Sequence, residues 1–177
     1  ATKLFLKISE FIAVKYSDHV VADNPAIRAY IKDQYKKESF LIAYGGEHVL
    51  VPQVTNNQDF SKLISSANGL DYDLTICRIE PENNIDIILD TYKGLPHKSL
   101  VAIGNWKSSS YGRLLLQEYK ECDNMFLIGP IYDLSILAKF RSNASTYIHG
   151  HSVGGTNPSL IEAMTYGLPI VAYDVIY

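Results

Sequence analysis

"YDLTICRIEPENNIDIILDTYKGLPHKSLVAIGN", residues 72–105, decides the fold. It opens with an apolar run of strand length, YDLTICRI. A helical stretch follows, EPENNIDIILDTYKGLP, with acids in its first turn and Gly94 and Pro96 as stop signals. A second apolar run, KSLVAIGN, closes it. Both runs are continuously apolar, as expected when both faces of a strand are covered. Strand, helix and strand in that order make a β-α-β crossover and therefore a parallel pair.

The alternation continues outward in both directions. Downstream, YGRLLLQEYKECDN reads as a helix, MFLIGPI as a strand, and DLSILAKFRSNA as a helix with Asp133 at its N-cap. TYIHGH reads as a strand, NPSLIEAMTYG as a helix opening at Pro158, and LPIVAYDV as a strand. Upstream, Leu4 to Val14 carry apolar residues at helical spacing. HVVAD is a short β-branched run, and NPAIRAYIKDQYKK a helix with Asn24 as N-cap and Pro25 in its first turn. ESFLIAYGG reads as a strand and SKLISSANGL as a short helix closed by Asn68-Gly69. The expected fold is α/β, a doubly wound parallel sheet of about seven strands. No internal repeat, low-complexity segment or linker divides the chain.

The bulk numbers agree. The chain has 177 residues, 47% hydrophobic and 20% charged, with a net charge of −3. That is ordinary globular usage, and it argues against disorder and against a nucleic-acid partner. The basic cluster KDQYKK reads as a solvated helix face. Cys77 and Cys122 form no C-x-x-C, no zinc spacing is present, and Cys77 reads as a small buried hydrophobe. Reduced, cytoplasmic surroundings fit best. No signal-peptide core and no 18-residue apolar run is present. The sequence starts inside a helix without an initiator Met and stops just after a strand, which suggests a piece of a longer protein.

In doubly wound sheets, ligands bind beyond the carboxyl ends of the strands. The residues there are Gly45-Gly46, Arg78, Gly104-Asn105, Gly129-Pro130 and His149 to Ser159. Neither G-x-G-x-x-G nor a Walker A motif is found among them. In "HGHSVGGTNPSLIEAMTYGLPIVAYD", residues 149–174, Gly154, Gly155, Thr156 and Asn157 precede the Pro158 helix. Their amides would offer an anion site at the positive end of the helix dipole. Glu162 lies one turn in, where its carboxylate could accept hydrogen bonds from vicinal hydroxyls or merely favour the helix N-terminus.

This segment resembles the signature of glycosyltransferase family 4. That motif is Glu, seven residues, Glu, then Ala-Met and a Gly-X-Pro strand. "EAMTYGLPIVAYD" matches its second half. The first acid falls on Gly154 and is absent. The Gly-Gly-Thr-Asn-Pro-Ser form, preceded by His-Gly-His, resembles a bacterial branch holding rhamnosyltransferases and other O-antigen and capsule enzymes. "CRIEPENNIDIILDTY" is similar to the family segment whose Arg and Lys grip the nucleotide diphosphate. Arg78 is kept, and Asn83 or Asn84 stands for the Lys. "AIGNW" and "LIGPIYDLSILAKFRSNASTYIHGH" are similar to successive family strands and loops.

The resemblance implies the Rossmann-like C-terminal, donor-binding domain of a two-domain GT-B enzyme over residues 1–177, with 1–16 a linker helix. It implies hexosyl transfer, with retention, from a UDP- or dTDP-sugar to a lipid-linked oligosaccharide in O-antigen, capsule or lipopolysaccharide synthesis. No metal is expected. Arg78 and Glu162 would be the catalytic pair, neutralising the diphosphate and holding the ribose. Gly154, Gly155, Thr156, Asn157 and Ser159 would serve phosphates and donor sugar, and Ile131 and Tyr132 the nucleobase. Gly45, Gly46, Asn83, Asn105 and His149 complete the expected binding set. Lys3, Lys7 and Lys15 are compatible with peripheral contact at the inner membrane face. Two other readings share the nucleotide site: a GT-B-like epimerase or hydrolase, and a non-catalytic nucleotide-sugar-binding module.

Overall fold

Seven strands and six α-helices form among residues 2–49, 71–153 and 155–175, the part of the chain described by a computed structural model. These residues divide into two units. No shift in composition marks that boundary.

The first unit holds the described residues through Gly45, with Gly155, Thr156 and Val175. Helix α1, Thr2–Tyr16, is followed by strand β1, Val21–Ala22, helix α2, Pro25–Tyr35, and strand β2, Phe40–Leu41. β1 and β2 pair in parallel, Val21 opposite Phe40. The cap read from sequence is present: Asn24 Oδ1 accepts from the Ile27 amide at 2.9 Å, with Pro25 in the first turn. Val14, Ala22 and Ile31 form its small core. Lys37 Nζ donates to the carbonyls of Val14 and Ser17, both at 2.6 Å, and so closes the C-terminus of α1. The remaining apolar positions of α1, among them Leu4, Phe5 and Phe11, are exposed.

The second unit holds Gly46–Val153 and Asn157–Asp174. Its strands are β3, Tyr72–Ile76, β4, Ser99–Ile103, β5, Met125–Ile128, β6, Thr146–His149, and β7, Ile170–Ala172. Between them run α3, Ile85–Lys93, α4, Ser110–Tyr119, α5, Leu134–Asn143, and α6, Pro158–Thr165. The five strands are all parallel, in the order β5-β4-β3-β6-β7. Leu74 faces Val101 on one side and Tyr147 on the other. The chain winds one way from β3 to β5 and the other way from β6 to β7, so the order reverses between β3 and β6.

Both sheet faces are covered, as the continuous apolar runs require. Along β4, Leu100 and Ala102 join the cluster built on Ile85, Leu89 and Leu115, while Val101 and Ile103 join that of Leu74, Phe140 and Tyr147. Asp133 caps α5 through the Ser135 and Ile136 amides, and Gly94 ends α3.

Two sequence readings change. The helix expected over 80–96 is broken. Pro81–Asn83 forms a 3-10 turn, Asn84 takes the left-handed conformation at φ 49°, and only then does α3 begin. Asn tolerates that conformation, and its side chain is held there by the carbonyl of Gly150 at 2.7 Å. The strand ESFLIAYGG shrinks to Phe40–Leu41, and it pairs with β1 rather than extending the five-stranded sheet. The helix read in SKLISSANGL lies outside the described residues.

Candidate active site

Loops leaving the carboxyl ends of β3 and β4 open a cleft of about 470 Å³ beside the reversal of strand order. Arg78, Glu80, Gly104, Asn105, Tyr132 and Ser159 are among its lining residues. Four of these, Arg78, Asn105, Tyr132 and Ser159, are residues the sequence assigned to donor binding. Arg78 and Glu80 give the lining one cation and one acid. The Arg78 side chain is 77% exposed and meets Glu82 at only 3.4 Å. An exposed pair of that length is worth about 1 kcal/mol or less, so the guanidinium is free to turn to an anion. Tyr132 stands out at the rim, whereas neighbouring Ile131 packs against the core. Cys77 also lines the cleft, but burial pushes its thiol up to about 12, which leaves it protonated and a poor nucleophile.

The loop that carries Arg78 is tied to the loop after β6. The Asn83 side chain donates to the Arg78 carbonyl at 2.8 Å and meets His151 Nδ1 at 2.9 Å. Asn84 donates to the Gly150 carbonyl, and the amide and hydroxyl of Ser152 both donate to the Glu82 carbonyl at 2.9 Å. Gly150 permits this approach. A Cβ there would strike the Asn83 carbonyl oxygen and lie 3.0 Å from Ile88 Cδ1. Gly150, His151 and Ser152 therefore fasten the two loops that flank the reversal point. His149 itself is buried, near-parallel to the Tyr147 ring at 6.1 Å. Burial, and then the neighbouring His151, lower its pKa to about 4. It is a neutral structural imidazole near pH 7, and it is not among the cleft-lining residues.

Glu162 is not part of the cleft lining either. It lies on α6 three residues beyond Ser159, on the same helix face. Its Oε2 accepts from Arg141 Nη2, and its Oε1 meets His48 Nε2 at 3.3 Å. Arg141, on α5, is 1% exposed. Sequence reading passed over it. A signal was present, since Arg141 follows Leu137 by four residues and so shares the inward face of α5. Gly46 serves packing: α6 lies against it, with the Ile161 carbonyl 3.2 Å from where a Cβ would stand.

The glycine run of the late motif divides. Asn157 caps α6 by accepting from the Ser159 amide at 3.0 Å. Within the first unit, the Thr156 amide donates to Asp23 Oδ2 at 3.2 Å and its hydroxyl accepts from Asn24 at 3.4 Å. A Cβ on Gly155 would lie 2.9 Å from the same Asp23 oxygen. Gly45 belongs to that unit as well. Gly154 lies outside the described residues. Among the described residues, no three His, Cys, Asp or Glu side chains are grouped as a metal site, and no helix is long and apolar enough to cross a membrane.

Residues 65–177 match the family profile described as glycosyl transferases group 1. The chain belongs to the glycosyl transferases group 1 family. Residues 1–47 match a second profile, described as a domain of unknown function, DUF1972. Solved structures of glycosyltransferases share the fold. Sucrose-phosphate synthase from Thermosynechococcus elongatus aligns with a TM-score of 0.72 at 22% identity, over 93% of this chain and 43% of that one. Anabaena HepE in complex with UDP-glucose aligns at 0.73 and 16%, over 94% and 48%. Starch synthase IV from Arabidopsis thaliana, bound to ADP and acarbose, aligns at 0.65 and 17%, over 92% and 40%. The chain thus spans less than half the length of these enzymes. No curated protein matches it.

Proposed function

We propose that this chain is the donor-binding part of a retaining glycosyltransferase that moves a hexose-type sugar from a nucleotide-diphosphate sugar to a lipid-linked oligosaccharide. The observation that carries the reading is the cleft beside the β3/β6 reversal, where Arg78, Asn105, Tyr132 and Ser159 converge. In this fold class a nucleotide lies across that point. The weakly held Arg78 guanidinium takes the diphosphate, whose negative charge grows as the sugar leaves. Glu162 accepts from the ribose hydroxyls, and Tyr132 covers the base. The reading rests on residues of the second unit alone.

HepE was solved with UDP-glucose and starch synthase IV with ADP, which favours a nucleotide-linked donor here. The resemblance of HGHSVGGTNPSLIEAM to O-antigen and capsule enzymes supports a bacterial lipid-linked acceptor, met in the cytoplasm at the inner membrane face. Calorimetric titration with UDP, dTDP and GDP tests the proposal. Saturable binding of one nucleotide, weakened by Arg78→Ala and by Glu162→Gln, is expected. Binding that neither substitution alters would remove both residues from the site.

A further inference from the structure

We propose that Arg141 is a positioning residue for the donor nucleoside, acting through Glu162. The inference deepens the reading of Glu162 given above and rests on it. The side chain of Arg141 is 2% exposed, and that of Glu162 is 16% exposed. The guanidinium is therefore sealed beneath α6 and the carboxylate reaches the surface. Arg141 Nη2 holds Oε2 from below. Oε1 is turned to the exposed side, where His48 meets it at 3.3 Å. Held at one oxygen by a planar donor from a second helix, the carboxylate cannot rotate freely. Its outward oxygen is fixed one turn beyond Ser159, which lines the cleft.

The energetics argue against a purely structural role. Arg141 Nε and Nη1 are buried and have no hydrogen-bond partner among the described residues. An arginine that satisfies one of its donor groups and strands two others is a poor device for stability. A well-packed apolar pair of the same volume does as well or better. Such an arrangement survives where orientation of its partner matters more than stability. The neighbouring Tyr166 hydroxyl donates to the Val49 carbonyl at 2.7 Å and accepts from neither stranded nitrogen of Arg141.

The test is a ratio. UDP and dTDP, and the 3′-deoxy form of each, are titrated into the chain, with thermal unfolding followed in parallel. In the wild type, losing a hydroxyl that donates to a charged carboxylate should weaken binding of the preferred nucleotide about tenfold or more. Arg141→Met should weaken the parent nucleotide by about the same factor and leave its 3′-deoxy form almost unchanged, so the ratio falls toward one. Arg141→Lys keeps a buried cation without the planar fork and should give an intermediate ratio, which covers the case of Arg141→Met failing to fold. A structural role alone would weaken parent and 3′-deoxy nucleotide equally, and an unchanged ratio in Arg141→Lys or Arg141→Met overturns the proposal. Glu162→Gln separates the two levels. If it collapses the ratio and the Arg141 variants do not, Glu162 stands and the role of Arg141 fails. If Glu162→Gln leaves the ratio intact, the assignment of Glu162 fails, and that of Arg141 with it.

Discussion

Removing the Glu162 carboxylate should do more than weaken a ligand contact; it should destabilise the second unit. Glu162→Ala leaves the Arg141 guanidinium buried with no anion, its Nε and Nη1 already without partners among the described residues. Breaking a buried pair from one side costs about 3–5 kcal/mol. Glu162 retains some solvent access, so we expect the lower end, about 3 kcal/mol. For a chain of this size that is a fall in Tm of about 6–12 °C. The chain has a single tryptophan, Trp106, which is buried in the second unit with its indole N–H donating to the Ile128 carbonyl at 2.9 Å. Its fluorescence therefore reports the unit concerned. Glu162→Gln, whose amide oxygen still accepts from Arg141, should lose much less. Arg141→Met combined with Glu162→Leu should recover most of the loss, because an apolar pair of similar volume strands no charge. A Glu162→Ala melting temperature within about 2 °C of wild type would refute the reasoning, since it would mean the guanidinium is not sealed.

Arg78→Ala should leave the Trp106 melting curve unmoved, since it removes only an exposed contact to Glu82, yet lower sugar transfer by the enzyme about a hundredfold or more. Near-normal transfer would end its assigned role. Gly150→Ala should cost about 1–3 kcal/mol by driving a methyl into the Asn83 carbonyl, read as a lower denaturation midpoint in urea; no change would mean the two loops are not fastened together. His149 binds its proton at about 4 when folded and about 6.5 when unfolded, so the unfolded chain is protonated first as the pH falls. Its contribution is complete above about pH 6.5 and is lost toward pH 4, about 3 kcal/mol in all. Urea midpoints across that range should fall with acid, and His149→Phe should flatten the slope.

Much of this was legible in the sequence because the same physics acts locally and globally. The strands inside the two apolar runs, 72–76 and 99–103, are buried on both faces, and that demand alone selects a parallel sheet with helices on each side. Asn24, Asp133 and Gly94 announced helix ends because their cap bonds span only two to four residues. What escaped was set by distant contacts. Nothing near Asn84 in sequence says that it turns left-handed; the Gly150 carbonyl, 66 residues away, holds its side chain. Arg141 reads as a polar interruption of an apolar helix face until Glu162, 21 residues on, is seen to pair with it. The extent of ESFLIAYGG depends on its partner strand, and β1 offers only Val21 and Ala22. Among the residues assigned to the site, Arg78 and Asn105 stand directly after strands and line the cleft, because strand ends fix where they stand. In the glycine run, the Thr156 amide is taken by Asp23, 133 residues away, a contact no local pattern announces.

The central claim is that the donor nucleotide lies in the cleft beside the β3/β6 reversal. Amide hydrogen exchange, with and without a saturating amount of the nucleotide that binds, tests it most directly. The account predicts slowed exchange over 78–84, 104–108 and 159–162, with the rest of the sheet unaffected. Protection confined to other segments, with these three unchanged, would contradict it.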